Sequence, residues 1–120
     1  MAKIKRDSNE MLKGTLDMMI LRTLVAGDAH GHTIANVIER TSEDMLEVEQ
    51  GSLYPALHRL EDRRWVSSYW GVSENNRKAK FYRLTAVGRK QLTSETSRWR
   101  QMARAIALVM GETPSEGGNE

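Results

Sequence analysis

The chain has 120 residues, a formal net charge of +2 and no cysteine. That length accommodates one domain with a core of its own, and the lack of cysteine excludes a disulfide framework, a thiolate zinc site and a cysteine nucleophile. No apolar run approaches the roughly 20 residues of a membrane span and no signal-peptide pattern opens the sequence, so a cytoplasmic protein with no membrane partner is expected.

The first thirteen residues carry four bases against two acids and are expected to form an N-terminal arm. A helix is predicted from Thr15 to Val25, with Thr15 as N-cap, Asp17 in the first turn and Leu16, Met19, Ile20 and Leu24 at helical spacing. Gly27 suits the left-handed residue that ends it. A second helix is predicted over Thr33–Thr41, burying Ile34, Val37 and Ile38. The connector that follows is acidic, and its Leu46 and Val48 alternate as a short strand would.

The third helix is predicted over Gln50–Arg63 on the stripe Leu53, Leu57 and Leu60. Pro55 is cheap in the first turn and kinks the helix if deeper. Strands are predicted over Val66–Val72 and Lys80–Leu84, flanking the polar tip SENNRKAK. Asn75 and Asn76 tolerate the positive φ of a tight reversal. From Arg77 to Lys90 there are six bases (Arg77, Lys78, Lys80, Arg83, Arg89 and Lys90) and no acid. Such segregation points to a polyanionic partner. A last helix is predicted over 86–110, followed by a polar tail, 111–120, expected to be disordered.

Three short helices and then a basic hairpin is the element order of a winged helix-turn-helix, here occupying 14–85. The fold class expected is mainly α with one small β-hairpin, plus a C-terminal dimerisation helix. The blocks GTLDMMILRTL, HGHTIANVIE, VEQGSLYPALHRLED and YWGVSENNRKAKFYRLTAVGRKQL, in that order, resemble the PadR family of bacterial transcriptional regulators. The resemblance is to its short members, which dimerise through a single C-terminal helix. It implies a DNA-binding repressor that releases DNA when a small hydrophobic or phenolic molecule binds. Where the family usually has glycine after the third helix, this chain has Arg64.

The apolar stripe of the third helix leaves Gln50, Ser52, Tyr54, His58 and Arg59 as candidates for the DNA-facing surface. Gln50 and Ser52 suit base edges, whereas His58 and Arg59 suit phosphate. Ser52 could instead serve as a cap, and Tyr54 could pack sideways against the wing. The hairpin supplies Asn75, Asn76, Arg77, Lys78 and Lys80 for backbone contact. His30 and Thr33 either reach a phosphate from a helix start or cap that helix. Asp28, His30 and His32 lack a metal-binding spacing, and neither metal nor cofactor is expected. No catalytic set is present, which argues against an enzyme.

In the last helix Leu92, Trp99 and Ile106 recur every seven residues, and Met102 and Val109 follow Trp99 and Ile106 by three, so these five are the expected dimer seam. Trp99 and Met102 are also the candidates for an effector pocket, unless Trp99 simply fills the interface. The partners expected are double-stranded DNA with a pseudo-palindromic operator, a second copy of the chain, and a small hydrophobic effector. The competing reading is a winged-helix protein-interaction module that does not read DNA.

Overall fold

The computed structural model describes residues 15–112; the expected N-terminal arm, and all of the expected tail beyond Glu112, lie outside them. Helix α1 spans Leu16–Val25, strand β1 Ala29–His30, helix α2 Gly31–Thr41 and helix α3 Gln50–Asp62. Strands β2, Val66–Val72, and β3, Lys78–Leu84, form the wing, and helix α4, Ala86–Val109, follows. The sheet is antiparallel in the order β1-β3-β2.

The helices close on one another because each has a single apolar stripe. Leu16, Ile20, Leu21 and Leu24 of α1 meet Ile34 and Ile38 of α2 and Leu53, Ala56, Leu57 and Leu60 of α3. Leu21, rather than Met19, completes the buried face of α1, and Val37 of α2 is only half-buried. The wing docks on this core by its root: Val66, Tyr82 and Leu84 are buried there, so a hairpin too small to stand alone is held by the helices.

The sequence reading missed the third strand. Residues Leu46 and Val48 form no strand; Val48 is buried in the connector and its N–H donates to a Glu39 carboxylate oxygen (2.8 Å). Ala29 and His30 instead pair with Tyr82 and Phe81. This short strand puts His30 in an extended conformation as the N-cap of α2, which therefore begins at Gly31, two residues before the expected start. Strand β3 also begins earlier than expected, at Lys78. Pro55 lies in the second turn of α3. Lacking an N–H, it leaves the carbonyl of Gly51 without its usual helical donor.

Helix α3 ends in a paired cap. The Arg64 N–H donates to the Glu61 carbonyl and the Trp65 N–H to the Leu60 carbonyl, both at 3.0 Å, with Arg64 at φ 65°. This is the Schellman arrangement, which favours glycine at the position Arg64 occupies. Arg64→Gly is expected to stabilise the fold by about 1 kcal/mol, as relief of left-handed strain outweighs the added freedom of the unfolded chain. A thermal midpoint raised by roughly 4 °C would register it, and a lowered midpoint would mean that Arg64 makes a compensating contact.

Candidate nucleic-acid interface

Helix α3 presents three rows to the outside. Gln50, Tyr54 and His58 are exposed along one flank. The exposed crest carries Gly51 and Pro55, neither with a polar side chain, and nothing lies within 4 Å of the space a Gly51 side chain would occupy. Along the other flank run Ser52 and Arg59, both half-buried. The low crest lets a partner's surface approach the α3 backbone closely, with side chains reaching past it on both sides.

Arg59 is not idle on its flank. One guanidinium nitrogen donates to Asp17 Oδ1 at 2.8 Å, and Arg63 approaches the other oxygen of the same carboxylate at 3.9 Å. Asp17 thus ties α1 to α3. Tyr54, on the opposite flank, lies over the start of α2: a Cβ on Gly31 would meet the Tyr54 hydroxyl at 2.8 Å and its ring at 2.9 Å. Tyr54 thus packs against Gly31, and it lines a groove together with Trp70, Lys80 and Tyr82 of the wing strands.

Between that flank and the wing runs a groove of about 600 Å³. It gathers His30, Tyr54, Asn75, Arg77, Lys78 and Lys80 from the residues singled out by sequence. It also draws in His32, Trp70, Ser73 and Tyr82, which sequence reasoning had not assigned to a site. For Trp70 the signal was present: Val66, Ser68, Trp70 and Val72 alternate onto one sheet face, paired across to Leu84, Tyr82, Lys80 and Lys78. Gln50, Ser52, His58 and Arg59 lie outside the groove on α3, Thr33 lies beside it on α2, and Asn76 sits at the hairpin turn with φ 60°.

Arg77, Lys78 and Lys80 give the groove an excess of positive charge, with two acids at its edge, Glu74 and the Glu61 that pairs with Lys80. His30 Nε2 lies 3.2 Å from the Thr33 hydroxyl and 3.5 Å from Glu74 Oε1, linking the start of α2 to the wing tip. A hydrogen bond from its own backbone amide, and then His30, hold the Glu74 carboxyl below its ordinary value. Lys78 Nζ lies 5.2 Å from the centre of the Trp70 ring. Burial pushes the Tyr82 hydroxyl of the groove above the ordinary phenol range.

Two carboxylates brace the wing from opposite sides. On the helix side Glu61 accepts from the Ser68 hydroxyl at 2.5 Å and from Lys80 Nζ at 3.3 Å. The Ser68 bond, aided by Lys80, holds Glu61 below the usual carboxylate value, so the link is made at neutral pH and lost as pH falls through that lowered value. On the other side Asp28 accepts from the Tyr69 hydroxyl at 2.7 Å and from Arg83 Nε at 3.3 Å. Asp28, weighed from sequence as a metal ligand, is thus engaged with the wing, and no cluster of metal-binding side chains occurs among the described residues.

Helix α4 packs against α1. Leu92, expected in the dimer seam, is half-buried against the chain's own core. Beyond it Trp99, Met102, Ile106, Leu108, Val109 and Met110 are all exposed. Glu95, in the same stripe, pairs with Arg98 at 3.6 Å. No helix among the described residues is long and apolar enough to cross a membrane.

Comparison with known proteins places this geometry. The model of the transcriptional regulator PadR-like family matches residues 20–94. A transcriptional regulator of Mycobacterium tuberculosis is 28% identical over 108 residues, 90% of this chain and 97% of that protein. A solved transcriptional regulator from Clostridium thermocellum superimposes with a TM-score of 0.74 at 28% identity, covering 81% of this chain and 94% of the other. A PadR family transcription regulator from Clostridium difficile gives 0.68 at 26%, covering 80% and 98%. The chain therefore belongs to the PadR-like family of transcriptional regulators, DNA-binding winged-helix proteins rather than enzymes.

Proposed function

We propose that the protein is a dimeric repressor that lays α3 in the major groove of an operator and the wing over the adjoining backbone. The groove between α3 and the wing carries this reading: it lines up His30, Asn75, Arg77, Lys78 and Lys80 beside the exposed flank of α3. Gln50 and Ser52 are the base-reading candidates, His58, Arg59 and Thr33 the further phosphate candidates, and Asn76 turns the wing tip.

The dimer is supported by apolar surface that the described residues leave uncovered. The exposed end of α4 is one such surface. The other is a groove of about 540 Å³ lined by Met19, Val25, Val37, Ile38 and Leu46, between α1, α2 and the connector. Two copies related by a two-fold axis would present two α3 helices, matching half-sites about 34 Å apart on a pseudo-palindromic operator. Repression, and release by a small hydrophobic or phenolic effector, follow from the family resemblance. The adjacent exposed side chains of Trp99 and Met102 are the place proposed for that effector.

Titration of labelled promoter duplex over a salt series tests the reading. Arg77→Ala combined with Lys78→Ala is expected to weaken all duplexes similarly and to flatten the salt slope by about two phosphate contacts. Binding like wild type at low and high salt would remove the wing from the interface. A chain with no salt-dependent binding at all would be a protein-interaction module instead. The same titration with planar aromatic compounds present checks effector release.

A further inference from the structure

Trp70 is 63% exposed in the middle of β2, an unusual place for so large an apolar ring. It is not a stray surface residue. Its face of the sheet carries Lys80 directly opposite and Lys78 stacked on the indole at 5.2 Å, and it walls the groove that Tyr54 closes from α3. The register accounts for its exposure: toward the wing root the same face is buried at Val66 and Leu84, but two pleats further out no helix among the described residues covers it.

We infer that this wall is a second kind of DNA contact, in which the Trp70 indole packs on the deoxyribose of one strand while Lys78 and Arg77 take the flanking phosphates. The inference rests on the proposed reading of the groove as the DNA-facing site and adds an uncharged contact to it. Charge complementarity selects the occupant: Arg77, Lys78 and Lys80 line the groove, and of the two acids at its edge Glu74 is faced by His30 at 3.5 Å and Glu61 is paired with Lys80 at 3.3 Å, which leaves Arg77 and Lys78 to meet an anion. A nucleic-acid backbone alternates anionic phosphate with an apolar sugar face at a spacing that a neighbouring Lys and Trp can match. An aromatic so placed adds affinity without sequence preference, since every nucleotide offers the same sugar. Because the indole carries no charge, it releases no counterion on binding.

That last property supplies the test. Full-length protein is titrated with a labelled duplex of random sequence over a salt series. Trp70→Ala is expected to weaken binding by roughly ten-fold with an unchanged salt slope, whereas Trp70→Phe retains most of the affinity. Duplex should also quench tryptophan emission in wild type but not in Trp70→Phe, where Trp65 and Trp99 remain. Equal affinity for Trp70→Ala and wild type, with Arg77→Ala/Lys78→Ala still weakened, would overturn the indole contact and leave the DNA reading standing. A slope lower by about one in Trp70→Ala would mean that the ring only positions Lys78, which also overturns it. If wild type binds no duplex, the reading of the groove falls with it.

Discussion

Ile106→Glu together with Val109→Glu should leave the protein monomeric, with operator affinity reduced roughly 10²–10⁴-fold. Both side chains are exposed in the single chain, at 53% and 84%, so two carboxylates there cannot disturb the core. In a dimer built on α4 the same carboxylates would be buried without partners, a heavy penalty in a low-dielectric seam. Losing the second subunit removes the linked half-site, and an intramolecular second contact is worth that range of avidity. Sedimentation velocity reads the oligomer and circular dichroism verifies that helix content survives. A variant that remains a dimer would move the interface away from this end of α4, to the apolar groove beside α1 or to the N-terminal arm.

The five seam positions read from sequence do not behave alike, and the reason is physical. Heptad spacing marks a face of α4 but cannot tell what covers it. Leu92 satisfies the spacing and is spent on the core of its own chain, whereas Trp99, Met102, Ile106 and Val109 satisfy it and stay exposed. Where local pattern decides, the reading was close: β2 runs over Val66–Val72 as its alternation required, and Asn76 takes the positive φ that asparagine tolerates. Two-residue β1 has no periodicity to detect, and it exists because β3 offers Tyr82 and Phe81 as partners.

The side chains that brace the site were illegible for a related reason. Asp17 reaches Arg59 across 42 positions and Asp28 reaches Tyr69 across 41, and nothing local in the sequence distinguishes these acids from solvated ones. The basic tip, by contrast, was visible as a run of cations without an acid, and its placement beside α3 required only that the hairpin dock by its root. Hence the anionic partner was readable from composition along the chain, while the orientation of the wing depends on Asp28 and Glu61, found only in three dimensions.

Gly88→Ala should lower the thermal midpoint by roughly 10 °C, against the direction that helix propensity alone dictates. Gly88 is the third residue of α4, and in an isolated helix alanine there would gain about 1 kcal/mol. In the folded chain an added Cβ would run into the Trp65 carbonyl oxygen and lie 2.8 Å from Leu84 Cδ1. The carbonyl cannot move aside freely, because it accepts the Thr85 N–H at 3.1 Å and faces the Thr85 hydroxyl at 3.0 Å. That hydroxyl in turn caps α4 by accepting the Gly88 N–H at 3.0 Å. One close approach therefore joins the end of α3, the wing root and the start of α4. Overpacking it costs about 1–3 kcal/mol and forfeiting the cap about 1 kcal/mol more, which together outweigh the propensity gain. For a domain of this size a net loss near 2 kcal/mol gives the shift stated. Since α4 carries the proposed dimer face, the angle between wing and seam should change too, and DNA affinity should fall even below the melting transition. An unchanged or raised midpoint would show that the junction relaxes around a methyl group, and that α4 is set in place by Leu92 instead.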